Sequence, residues 1–131
     1  MISGVSKVIV PVGDQERAKA FWTEQVGFAV ECDDSYGDER WIEVRPPDGG
    51  PVLVLSPRPE DERRRDVRDE LPHSPVFLTC TDIEATYREL RDRGVEFPLA
   101  PQQQHFGWWS LFKDNEGTRY ALGQWAGDAD R

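Results

Sequence analysis

Lys7-Val8-Ile9-Val10-Pro11-Val12-Gly13-Asp14 and Val76-Phe77-Leu78-Thr79-Cys80-Thr81-Asp82 decide the fold. Each is an apolar run of strand length that ends in an aspartate at the head of a helical pattern. In the first, the alternation from Lys7 to Val12 predicts a strand. Asp14 then suits an N-cap, because its carboxylate can accept from amides that the first helical turn leaves unpaired. The helix should run through Ala18, Phe21 and Trp22 to about Gln25, with Gly27 just beyond its end. In the second, Asp82 takes the cap position, Ile83, Tyr87 and Leu90 share one helical face, and Gly94 closes the helix. Asp14 lies 13 positions before Gly27 and Asp82 lies 12 before Gly94, so one unit occurs twice, offset by about 68 residues.

Period-two segments fill out both copies. Strands are expected over about 28–34, 39–45 and 51–56, separated by turn signals at 33–38 and 46–50. Their counterparts are expected near 96–99, 108–112 and 118–124, the last two joined by Lys113-Asp114-Asn115-Glu116-Gly117. Between the copies, residues 57–73 include the mixed-charge run Glu60 to Asp66 and read as a solvated linker. The expected organisation is a single domain over 1–131, with βαβββ units at about 4–56 and 74–125.

Composition narrows the function. The 131 residues suit one core, and an 11% share of aromatics argues against disorder. Sixteen Lys and Arg against 25 Asp and Glu give a net charge of −9, which repels nucleic-acid phosphates and mildly favours a cationic partner. No stretch approaches the ~20 apolar residues of a membrane span, and no signal pattern follows Met1, so a cytoplasmic location is expected. Cys32 and Cys80 fit neither a zinc motif nor a disulfide framework and read as reduced.

The order and spacing of the Lys7–Asp14 strand with its helix, Val76 to Gly94, and Phe112-Lys-Asp-Asn-Glu-Gly117 with Tyr120-Ala-Leu122 resemble the vicinal oxygen chelate superfamily. That superfamily includes glyoxalase I, extradiol dioxygenases and bleomycin-resistance proteins. The resemblance spans about residues 4–124. It implies an α+β fold in which the two βαβββ units form a cupped, barrel-like mixed sheet with helices outside. It also implies four metal-ligand positions, which fall here on Lys7, Val54, Pro75 and Ala121. An ammonium has no lone pair to donate, and the other three side chains carry no donor atom. Neighbouring His73 and Glu43 fall short of the three or four ligands a catalytic divalent site needs. No metal and no cofactor are expected.

Strand parity gives the candidate ligand-binding face. Val8, Val10, Val12, Ile42, Val44, Leu53, Leu55, Leu78, Tyr120 and Leu122 should face the helices. Lys7, Trp41, Glu43, Val54, Phe77, Arg119 and Ala121 should face the concave side, joined by Trp108, Ser110 and Phe112 if Leu111 points to a helix. Trp41 and Trp108 read either as a stacking clamp or as structural residues. Lys7 and Glu43 read as an acid–base pair or an ion pair, and Arg119 as an anion anchor or a surface salt bridge. Trp22 and Trp109 read as packing residues. His105 is placed on a flexible loop able to close over the site.

The leading expectation is a metal-free, homodimeric protein that sequesters a cationic or aromatic small molecule, as the resemblance to bleomycin-resistance proteins implies. The alternatives are a metal-independent lyase or isomerase using Lys7, Glu43 or His105, and a metal-dependent glyoxalase or dioxygenase.

Overall fold

The computed structural model describes residues 1–63 and 66–125, divided into two compact units, Met1–Arg63 and Arg64–Arg131. Each unit holds its own four-stranded mixed sheet, so the fold is α+β with the predicted duplication.

In the first unit, β1 (Lys7–Val12) leads to α1 (Gln15–Ala20) and on to a π-helical turn, Phe21–Gln25. Asp14 caps α1 as predicted, its Oδ1 accepting from Arg17 N at 3.0 Å, and Gly27 leaves the turn with φ at 96°. Strands β2 (Ala29–Tyr36), β3 (Glu39–Arg45) and β4 (Val52–Pro57) follow, in the sheet order β1-β4-β3-β2. β1 runs parallel to β4 and the other pairs are antiparallel. Residues paired across strands share a face. Val10, Val12, Ile42, Val44, Leu53 and Leu55, each 3% exposed or less, therefore form one apolar surface. The α1 side of the sheet is this same surface. Asp33, paired with Ile42, bonds Lys19 of α1 at 2.7 Å, and Arg40 on the same face bonds Glu16 of α1 at 2.6 Å. Phe21 and Trp22, both buried, complete the core.

The second unit repeats the plan with β5 (Phe77–Thr79), α3 (Ile83–Asp92), β6 (Leu99–Gln104), β7 (Gly107–Lys113) and β8 (Arg119–Trp125), in the order β5-β8-β7-β6. Asp82 Oδ1 accepts from Ala85 N at 3.1 Å, and Gly94 follows with φ at 89°. The predicted linker is shared out between the units. A short α2 (Glu60–Arg63) belongs to the first, while the carbonyls of Arg68 and Leu71 accept from the Arg119 guanidinium of the second.

Two expectations need correction here. The strand placed at 96–99 lies at Leu99–Gln104, because an edge strand tolerates the prolines and polar glutamines that read as a loop. His105 is not on a flexible loop: with Phe106 it makes a two-residue turn between β6 and β7.

Candidate functional site

On the face of the first sheet away from α1, Lys7, Trp41 and Glu43 form one cluster. β1, β4 and β3 place them together through the pairings Lys7↔Val52, Ile9↔Val54 and Glu43↔Val54. Lys7 Nζ donates to Glu43 Oε2 at 2.8 Å, and Trp41 Nε1 donates to the same oxygen at 2.6 Å. The Glu43 side chain is 7% exposed and that of Lys7 48%. The hydrogen bond to Glu43 raises the Lys7 pKa. Bonds from Lys7 and then Trp41 lower that of Glu43. Both groups are held ionised, so this is an ion pair and not a pair poised to exchange a proton near neutrality. Cys32, paired with Glu43 across β2 and β3, has its thiol pKa pushed up, chiefly by desolvation and next by Asp34.

The second unit carries an aromatic cluster. Phe77 on β5, Trp109 on β7 and Trp125 on β8 meet with ring centroids 5.6 to 6.2 Å apart. Phe106, from the β6–β7 turn, lies 6.0 Å from Trp109 and 6.3 Å from Trp125. Phe77 is 55% exposed and Phe106 41%. Such separations suit offset and edge contacts between rings. The Trp125 indole folds back over Gly123, so that a Cβ at 123 would collide with the ring.

The pairing of β7 with β8 corrects the predicted parity. Trp108, Ser110 and Phe112 lie opposite Gln124, Leu122 and Tyr120, on the α3 side, while Trp109 and Leu111 lie opposite Gly123 and Ala121. Phe112, 1% exposed, stacks on Tyr120 at 5.6 Å and meets Phe97, which contacts Tyr87 of α3. Trp108 and Phe112 thus face the helix, and Trp109, read from sequence as packing, joins Phe77 in their place. Arg119 is turned toward the predicted linker: its Nε and Nη2 donate to the carbonyls of Leu71 and Arg68 at 2.9 and 3.0 Å. His105 sits 5.3 Å from the Phe106 ring at the hairpin tip. A hollow of about 490 Å³ lined by Tyr87, Arg91, Phe97 and Lys113 lies on the α3 side, away from the aromatic cluster.

The positions where the resemblance implies metal ligands do not fit a divalent cation. Lys7 is bonded as an ammonium, Val54 and Ala121 are buried hydrocarbon, and Pro75 offers no side-chain donor. His73 Nδ1 already accepts from Arg119 N at 2.8 Å. Among the described residues, no three His, Cys, Asp or Glu side chains converge.

Comparison with known proteins agrees with the topology. A model of the Glyoxalase/Bleomycin resistance protein/Dioxygenase superfamily matches residues 4–122. The chain belongs to this superfamily. An uncharacterised protein from Bacillus subtilis (strain 168), YetH, is 35% identical over 123 residues, covering 93% of this chain and 98% of its own. The crystal structure of TnmS3, an antibiotic-binding protein from Streptomyces sp. CB03234, is 30% identical with a TM-score of 0.79, over 95% of this chain and 98% of that one. That of UcmS2 is 33% identical with a TM-score of 0.76, over 94% and 98%.

Proposed function

We propose that this superfamily member binds and sequesters a small molecule with a flat aromatic portion, as a homodimer and without metal or turnover. The observation that carries the reading is the open cluster of Phe77, Phe106, Trp109 and Trp125 on one sheet face of the second unit. Two indoles and two phenyl rings, partly exposed, offer a stacking surface whose rings are already ordered by one another, which lowers the entropy lost on binding. The 30% identity to an antibiotic-binding protein supports a ligand of that general kind. The ionised Lys7–Glu43 pair weighs against proton-transfer chemistry.

Tryptophan fluorescence titration with flat aromatic antibiotics tests this. A saturable quench is expected, unchanged after dialysis against a chelator, and weakened about tenfold or more by Trp109→Ala, the scale for a truncated aromatic anchor. Turnover of the added compound, or binding that disappears with the chelator, refutes it.

A further inference from the structure

We propose that Glu43 Oε1 and Lys7 Nζ together read the uncharged amide edge of a small molecule, an N–H beside a C=O. This rests on the small-molecule reading above and concerns a polar site on the first unit taken by itself.

The argument starts from an asymmetry within one carboxylate. Both hydrogen bonds to Glu43 end on Oε2. Among the described residues no donor reaches Oε1, although the side chain is 7% exposed. A carboxylate withdrawn this far from water ordinarily has its oxygens satisfied, so Oε1 is the acceptor that a donor group of a bound molecule would meet. The Glu43 carboxylate is not wholly sealed off, since 7% of its side chain stays exposed. Beside it, Lys7 spends one of its three N–H groups on Oε2 and has its side chain 48% exposed, so further N–H groups point outward. The surface therefore presents an acceptor and a donor side by side, flanking the same Oε2.

Charge selects the ligand group. A cation drawn to Glu43 would meet the Lys7 ammonium, and an anion drawn to Lys7 would meet the Glu43 carboxylate. A neutral group with its own donor and acceptor adjacent satisfies both without like-charge contact, and a primary carboxamide has this arrangement. Its N–H goes to Oε1 and its carbonyl accepts from Lys7. The side chains beside the pair, Trp41 and the exposed Ile9, supply apolar contact for the carbon skeleton.

The Trp41 indole N–H, bonded to the same carboxylate, is a built-in reporter. In ¹⁵N-labelled protein its resonance, identified by loss in Trp41→Phe, should move on titration with benzamide. It should respond about tenfold less readily to N,N-dimethylbenzamide, which lacks the N–H, and to benzoate, which lacks it and adds charge. Glu43→Gln can still accept from Trp41 and Lys7 through its amide oxygen, but presents NH₂ where Oε1 stood, and should abolish the preference. Lys7→Met should lower it too, and serves if the glutamine variant does not fold. Equal responses to the three probes, no response at Trp41, or a preference that survives both substitutions overturns the proposal. If the Trp109 and Trp125 indoles respond to aromatic compounds while Trp41 shows no preference, only the amide subsite fails. If the indoles of the second unit never respond, the stacking reading fails whatever Trp41 does.

Discussion

Gly123 is the residue on which the aromatic platform depends. Only a position without a Cβ lets the Trp125 ring lie back over the strand. Gly123→Ala should lift the indole, change the near-ultraviolet circular dichroism, lower stability by about 1–3 kcal/mol as overpacking does, and weaken any stacking ligand. An unaltered near-ultraviolet spectrum would show that the ring has another resting place. Asp33 offers a second test at this scale. Arg40 first and Lys19 next hold its carboxyl well below the usual carboxylate range. A depressed folded-state pKa contributes stability above the unfolded value of about 3.9, and that contribution is lost as pH falls through the folded value. Asp33→Asn should therefore lower the urea midpoint at pH 7, and the gap to the wild type should narrow progressively as pH falls below about 4. A gap that does not change with pH would assign the loss to packing.

The elements show where the sequence was readable and where it was not. Asp14 and Asp82 announced both helices because a cap is a local device, one side chain meeting an amide three residues on. Each cap changed to alanine should cost about 1 kcal/mol in chemical denaturation, and a loss confined to one of them would mean that the duplicated caps do different work. The facing of β7 was harder. Trp108-Trp109-Ser110-Leu111-Phe112 is apolar on both sides, so alternation carries little information there. The signal lay in the hairpin instead. Asp114 N donates to Thr118 O at 2.9 Å and Lys113 pairs with Arg119, a register that sets Phe112 against Tyr120. Once Tyr120 was assigned to the helix side, Phe112 had to follow, and Trp109 had to take the other face. Trp125 and Phe106 escaped notice as site residues because a strand end and a two-residue turn lie outside the parity argument. The asymmetry of the Glu43 carboxylate was invisible for a different reason: which oxygen a donor chooses is a matter of ångströms that no residue pattern encodes.

For the whole molecule, the duplication was legible because both copies keep strand, cap, helix and glycine in the same order, and the superfamily match over residues 4–122 agrees with it. Assembly is a prediction at this scale. An isologous pair is the commonest closed assembly, and light scattering at micromolar concentration should give twice the 15.0 kDa chain mass. A mass equal to one chain removes the homodimer from the proposed function. No helix among the described residues is long and apolar enough to cross a membrane.

The outer strands of the two sheets bear on how such a protein would have to be used. β2 carries Glu31, Asp33 and Asp34, β1 carries Lys7 and Pro11, β6 carries Pro101, and β5 is three residues long. Charge, proline and brevity each discourage strands of neighbouring molecules from stacking edge to edge into fibres. A catalyst can be scarce, because each copy acts repeatedly. A protein that neutralises a compound by holding it is consumed one for one, so its capacity is set by its abundance, and guarded edges are what allow a chain to be abundant and stay in solution.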